Sequence, residues 1–310
     1  MLGFRNSILL KMALLVAGGT SVVFALVLLY SYRYSRQIIL EESRTNARNL
    51  AYSVARRVGQ EFRAVEKIPQ NMACVLETTP LSEKALDDLL KCSVANNREV
   101  YGCAIAFEPY ALKPDVKAYC PYCYKEGNTV RFVELGTDDY RYFQRDWYHI
   151  PRVMRVPVWS QPYFGEGGGG VLMTTYSCPF FERSADGLTR KLKGVVTADV
   201  SLDWLTKLVS SLEIGKNGYC FIISDTGKLV TYPKAPWIMR ESLFSLADEH
   251  QTPLLRTVGR HMIRSESGFE DMGTALTEDD SFVAFARIPS TNWVLAAVFA
   301  KSELFAEVMA

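Results

Sequence analysis

The segment YRYFQRDWYHIP, residues 140–151, puts five aromatic side chains, two arginines, an aspartate and a histidine into twelve positions. That mixture is too polar for a core strand and too aromatic for an ordinary loop. Arg145 can grip a carboxylate through two parallel charge-assisted hydrogen bonds. Trp147 offers an indole donor and a flat apolar wall, and Tyr148 a hydroxyl and a second wall. Asp199, in the strand-like VVTADV of residues 195–200, offers an anion to an ammonium group. A cation, an anion and aromatics that exclude water are what a zwitterion needs. Two or three charge-assisted bonds at about 1.5–3 kcal/mol each, with aromatic burial, reach the ~8 kcal/mol of micromolar binding after ordering costs. The competing reading is structural, with Arg145 paired to Asp139 or Asp146 and Trp147 in the core.

Seven cysteines are present, at positions 74, 92, 103, 120, 123, 178 and 220, so any all-disulfide scheme leaves one unpaired. Cys120 and Cys123 form a CPYC motif. A dithiol redox centre needs that spacing at a helix start after a strand. Here it is followed by KEGNTVRF, a strand-like stretch turning at Gly127-Asn128. The motif therefore reads as a local disulfide or two plain thiols, with a periplasmic thiol oxidoreductase as the alternative. Tyr124 stands where c-type haem attachment needs histidine. His149, His250 and His261 are isolated, so no zinc site is expected. The GEGGGG run at 165–170 lacks the Lys-Ser/Thr of a phosphate loop and reads as a mobile hairpin rim. No G-x-S-x-G or H-E-x-x-H occurs, and neither a catalytic centre nor a cofactor is expected.

The chain has 310 residues, is 48% hydrophobic and carries 16 Tyr and 16 Phe, which suits packed cores rather than disorder. Beyond residue 36 it holds 31 basic against 34 acidic residues, no basis for a nucleic-acid partner. Met12 to Tyr30 is a run of 19 uncharged residues. As a helix it spans about 28 Å, close to the hydrocarbon thickness of a bilayer. Tyr30, Tyr32 and Tyr34 follow as an interfacial belt. The run ends in LLYSYRYSRQ, which offers no small-x-small cleavage site, so a retained anchor is expected. Residues 1–11 are then cytoplasmic and 12–34 transmembrane.

The elements that position these residues follow from periodicity. Ala47, Ala51, Val54, Val58, Phe62 and Val65 form one helical stripe over 37–68, ended by Pro69, which makes a stalk. A second helix is expected over 81–96 with Ser82 as N-cap. From residue 99 the period changes to strands: EVYGCAIAFEP, TVRFVEL, VLMTTYSCPFFER and LKGVVTADVSL, the last two joined through an Asp-Gly turn in SADG. SLDWLTKLVSSL is a connecting helix. A second strand series follows, with a hairpin in GYCFIISDTGKLVTYP, then SGFEDMG, SFVAFARIP and WVLAAVFAK. Tyr219, Tyr232 and Trp237 read as core or as the lining of a second pocket.

DWY with WSQPY and TTYSCPF, GVVTADVSLDWL, GYCFIISDTGKLVTYP and IPSTNWVLAAVFAKSELF occur in an order that resembles the double Cache sensor domain of bacterial membrane receptors. The resemblance covers roughly residues 37–305. It implies an α+β fold, two PAS-like modules each with a central antiparallel sheet, hung on one long N-terminal helix. The expected division of the sensor, 35–310, is 35–96 for stalk and second helix, 97–200 for a membrane-distal module and 201–305 for a proximal one. The EGGGG loop with TTYS is similar to Cache domains that precede metal-dependent phosphatase outputs. Family members also carry a second membrane helix, a relay and an output domain, which the resemblance places beyond AKSELFAEVMA.

The amino-acid-binding subset of this family carries a pattern matched here by Tyr140, Arg145, Trp147, Tyr148, Tyr163 and Asp199. The aspartate expected two residues after Tyr163 falls on Gly165, with Glu166 adjacent as a stand-in. The resemblance thus implies an intact carboxylate half, a weakened amine half, and a carboxylate or amino-acid ligand. It also implies a periplasmic sensor on the inner membrane, a homodimer along the stalk, and relay through the long helix or the exit near Phe305. A ligand-free dimerisation stalk is the remaining alternative.

Overall fold

The computed structural model describes residues 3–183, 190–212, 214, 218–277 and 279–303. Helix α1 spans Gly3–Thr78. Large apolar side chains from Leu10 to Tyr34 project from it unburied. Among the described residues it is the one helix long and apolar enough to cross a membrane. The predicted stripe is buried throughout, from Ala47 to Val65, and continues through Met72, Ala73 and Leu76. The helix does not end at Pro69, as the sequence suggested, but runs nine residues further. Proline removes only the N–H that would reach the Val65 carbonyl. Burial of Met72, Ala73 and Leu76 favours continuing over stopping. Helix α2, Glu83–Asn96, starts where expected, the Ser82 hydroxyl accepting from the Ala85 amide.

The first sheet contains β1 (Gly102–Phe107), β2 (Pro121–Glu126), β3 (Thr129–Glu134), β4 (Val158–Trp159), β5 (Tyr163–Phe164), β6 (Leu172–Arg183) and β7 (Arg190–Ser201). It is antiparallel in the order β3-β2-β1-β7-β6-β4, with β5 also on β6. The Asp-Gly turn expected in SADG lies outside the described residues, but β6 and β7 pair up to its edge at Arg183 and Arg190. Helix α3, Asp146–Met154, carries the Trp147-Tyr148 pair. Helix α4, Leu202–Ser210, follows β7 directly and is capped by Ser201, while Asp203 pairs with Lys207 on the surface.

The second sheet contains β8 (Tyr219–Ile223), β9 (Leu229–Thr231), β10 (Ser267–Gly273), β11 (Ser281–Arg287) and β12 (Val294–Ala300), in the order β10-β11-β12-β8-β9. Helices α5 (Leu243–Glu249) and α6 (Pro253–Arg264) cover one face. Neither was expected from the sequence, although Leu255, Val258, Gly259 and Met262 form a buried helical stripe in α6. Tyr219, Tyr232 and Trp237 pack on one another there, the two hydroxyls 3.2 Å apart.

Strand periodicity sorts the side chains by face. Cys103, Ile105, Val196, Ala198, Val200, Tyr176 and Cys178 join the core against α1 and α2. Their alternates Ala104, Ala106, Tyr122 and Val195 join the core that includes α3. The second sheet repeats the scheme, with Ile222 and Leu295 toward α1, and Phe221 and Val294 toward α5 and α6. One long helix therefore backs both sheets, and α3 covers the opposite face of the first.

Candidate functional site

Asp199 falls on the α3-facing side of β7 and is buried, 3% exposed. Its Oδ1 accepts from Thr175 Oγ1 at 2.7 Å and its Oδ2 from the Tyr122 hydroxyl at 2.8 Å. Thr175 sits opposite Asp199 in the β6–β7 register. Tyr122 lies two strands away on β2. Its ring crosses β1 at Gly102, where a Cβ would collide with it. The Tyr163 hydroxyl, 2.7 Å from Thr175 Oγ1, must donate there, because the threonine proton is already directed at Asp199. Burial lifts the Asp199 carboxyl to about 6, against the two hydroxyls that hold it down. Among the described residues no lysine, arginine or histidine pairs with it.

Above Asp199 is a recess of about 20 Å³, walled by Tyr122, Tyr140, Trp147, Tyr163 and Met173. That is room for one water-sized group. Trp147, Tyr140, Tyr163 and Glu166 also border an outer cleft of about 350 Å³, which extends past Arg145, Gln144, Gln161 and Phe164. The Trp147 indole donates to the Tyr140 hydroxyl at 3.3 Å, fixing the two walls. Four of the six sequence-predicted residues, Tyr140, Trp147, Tyr163 and Asp199, thus surround one recess, and Arg145 borders its mouth.

Arg145 pairs with neither Asp139 nor Asp146. Its Nη2 lies 2.9 Å from Glu166 Oε2, its Nε donates to the Tyr140 carbonyl at 3.3 Å, and its guanidinium stacks 4.9 Å over the Tyr140 ring. Glu166, the expected stand-in for an ammonium-binding aspartate, borders the recess but faces a cation of its own. The balance expected from the sequence is reversed: the acidic end of the site is unpaired and the basic end is engaged. At Gly165 the Met173 thioether occupies the place a side chain would take.

Tyr148 does not reach the recess. It is fully buried, edge-on to Tyr142 with centroids 5.1 Å apart. Its hydroxyl donates to Glu108 Oε1 at 2.5 Å, a carboxylate also held by Arg152 at 2.6 and 3.0 Å. Neighbouring helix positions point about 100° apart, and that step turns Tyr148 away from the recess that Trp147 walls.

The CPYC disulfide is also corrected. Cys120 and Cys123 are both free and lie on opposite faces of the sheet, Cys120 just before β2 in the core with α3 and Cys123 within β2 in the core with α1 and α2. Burial raises both thiols, Cys123 to about 11 and Cys120 well above the ordinary thiol range. A buried, protonated pair on two faces of a sheet is not a dithiol centre. The sequence missed Tyr122 because CPYC was read for its two cysteines, as a local disulfide or plain thiols, and not as a strand. It missed Thr175 because register, not spacing, brings it to Asp199.

A long helix, apolar then amphipathic, backing two antiparallel sheets, the first holding a lined recess, is the architecture of the PAS-like sensor class, and the helix is long and apolar enough to cross a membrane. Family models agree: "methyl-accepting chemotaxis protein-like, first PDC sensor domain" matches residues 86–207, and "Cache 3/Cache 2 fusion domain" matches 195–310. Together the two models run from residue 86 to residue 310, so the chain carries the PDC and Cache sensor modules that they describe, in that order.

The methyl-accepting chemotaxis protein McpG of Pseudomonas putida is 23% identical over 307 residues, covering 98% of this chain and 42% of the relative. PscA of Pseudomonas syringae pv. tomato is 25% identical over 168 residues, 54% of this chain and 24% of the relative. The chain thus spans less than half the length of these chemoreceptors. In fold it is similar to the extracellular domain of the candidate histidine kinase mmHK1S-Z3, at TM-score 0.70 and 21% identity over 89% of this chain and 98% of that one. It is also similar to the ligand-binding domain of Pseudomonas aeruginosa PctC in complex with GABA, at TM-score 0.58 and 16% identity over 83% of this chain and 100% of that one.

Proposed function

We propose that this chain senses a small molecule carrying a protonated amine, in the amino-acid class, by seating the ammonium on Asp199 and directing any carboxylate toward Arg145. The observation that carries the reading is the buried Asp199 carboxylate, without a cation partner among the described residues, beneath aromatic walls in a recess of about 20 Å³. An ammonium head is the size of a water and fits that volume, and the rest of the ligand lies in the outer cleft. Charge-assisted bonds to a buried carboxylate contribute about 1.5–3 kcal/mol each, and Trp147, Tyr140 and Tyr163 add cation–π attraction. Relatives of the same fold hold GABA and glutamine, which supports the ligand class.

In this reading residues 1–11 are cytoplasmic and 12–34 anchor the chain in the inner membrane. Residues 97–200 form the membrane-distal, ligand-binding module outside that membrane, and 201–305 the proximal one. A homodimer along the stalk passes the state of the recess to a cytoplasmic output through α1 or the exit near Phe305, a position outside the described residues. The test is a thermal-shift series on the full chain in detergent with GABA, glutamine and n-butylamine. A ligand that binds only the folded state raises the melting temperature by mass action. The expected result is a shift with at least one amine that Asp199→Asn abolishes while the variant stays folded. A shift unaffected by Asp199→Asn overturns the reading.

A further inference from the structure

The loop between β5 and β6 carries Glu166 in a frame of glycines. Gly167, Gly169 and Gly170 have φ of +83°, +78° and +62°, values that side chains rarely adopt. The loop lies flush on tyrosine rings. A Cβ at Gly167 would come 3.0 Å from Tyr140, and one at Gly168 or Gly169 would collide with Tyr122 or Tyr101. The Gly165 amide donates to the Val171 carbonyl at 2.9 Å and the Glu166 amide to the Phe164 carbonyl at 3.0 Å. Backbone and glycine packing therefore hold the loop, and the carboxylate of Glu166 is left to reach Arg145 at 2.9 Å.

We infer that Glu166 is a tethered competitor for the ligand's carboxylate, and so a specificity-determining residue of the pocket. Arg145 is the cation bordering the cleft, and Glu166 already occupies it. A zwitterion must displace Glu166 to place its own carboxylate there. An amine without a carboxylate reaches Asp199 and leaves the ion pair in place. Both partners are substantially exposed, with side-chain exposures of 39% and 64%, so the pair is worth only about 0–1 kcal/mol. That makes Glu166 displaceable, and it sets the penalty on zwitterions at up to about 5-fold in affinity. The inference rests on the amine-on-Asp199 reading above.

Titration calorimetry of the full chain in detergent tests it with two probes of equal length, GABA and n-butylamine, on wild type, Glu166→Gln and Asp199→Asn. Glu166→Gln keeps the shape of an exposed side chain and removes its charge. It is expected to tighten GABA about 2- to 5-fold and leave n-butylamine unchanged, so that the ratio of the two affinities moves. An unchanged ratio, or weaker GABA binding, overturns the inference. Asp199→Asn separates the two levels. Loss of both probes there with no change of ratio in Glu166→Gln sinks the competitor role alone. Full retention of both probes in Asp199→Asn, or no binding of either probe to wild type, sinks the site reading and this inference with it.

Discussion

The indole N–H of Trp159 donates to Glu66 Oε1 at 2.9 Å, tying the strand beside the outer cleft to the long helix. Trp159 also stands edge-on to Phe62, 4.9 Å between centroids, and Phe62 stands edge-on to Trp293, the residue that precedes β12, at 5.7 Å. Phe62 is thus a side chain of the helix that touches rings from both halves of the chain, Trp159 of β4 and Trp293 before β12. Phe62→Ala is expected to lower unfolding free energy by about 3–5 kcal/mol. Trp159→Phe, which keeps a ring and loses one half-buried hydrogen bond, costs about 1 kcal/mol. Urea denaturation of both variants checks the contrast. Similar losses for the two would show that Phe62 is not the shared contact.

The raised Asp199 carboxyl makes two opposite pH dependences. Its folded-state value near 6 exceeds the ordinary 3.8, so the folded protein binds this proton more tightly than the unfolded chain. The group therefore favours the folded state at low pH, and that contribution, up to about 3 kcal/mol, is lost as pH rises from about 4 to about 6. Asp199→Asn should be more stable than wild type at pH 7.5, with the advantage vanishing near pH 4. Amine binding runs the other way. At pH 5 about one carboxylate in eleven is ionised, so affinity should fall about 10-fold from its pH 7.5 value. Calorimetry and denaturation across this range would expose a flat profile, which excludes an ionising Asp199 at the site.

Arg145 and Tyr148, three residues apart, should behave differently. Arg145→Ala removes a largely exposed ion pair, so stability changes by less than about 1 kcal/mol. GABA then loses any advantage over n-butylamine. Tyr148→Phe removes the hydroxyl from Glu108 inside the core and should cost about 1–2 kcal/mol, with probe affinities within twofold of wild type. A large affinity loss in Tyr148→Phe would return that residue to the pocket.

The glycine loop admits little change. Gly169→Ala forces a side chain into a φ of +78° and against the Tyr101 hydroxyl. The expected loss is about 1–3 kcal/mol, with weaker probe binding as the loop lifts from its tyrosines. Gly127→Ala, at φ +60° in the β2–β3 turn with open space around it, strains only the backbone. It should leave probe affinity untouched, a comparison made by thermal shift and calorimetry together.

Thiol counting checks the sorting of β2. Cys74 and Cys92 are exposed and the other five are buried. A thiol reagent should modify two cysteines in the native chain and all seven after denaturation without reductant. A count short of seven in the denatured, unreduced chain would mean a disulfide.

How much of this was legible depended on whether the deciding force is local. The α1 stripe and the Ser82 cap were visible because helix burial and capping repeat at fixed spacings. The β8–β9 and β6–β7 hairpins were visible because Asp-Gly and Thr-Gly turns announce themselves. Pro69 misled, since tertiary burial beyond it outweighs one missing hydrogen bond. Tyr140, Trp147, Tyr163 and Asp199 were placed together by their likeness to a family pattern, while their companions Tyr122 and Thr175 depend on strand register, which spacing does not encode. Tyr148 came from the same pattern, but one helical step turns it into the core against Tyr142. The Arg145–Glu166 pair joins residues 21 apart through a loop whose course no pattern dictates.

Asp199 stands two residues before Ser201, whose hydroxyl receives the Trp204 amide and starts α4, and α4 in turn packs on β8 and β9. With no slack between carboxylate and cap, a pull on the acid is a pull on the first turn of that helix. The helix that joins the two sheets is therefore coupled to the floor of the recess through two residues of strand backbone, and spin labels on α4 and α6 would read whether a ligand on Asp199 displaces it.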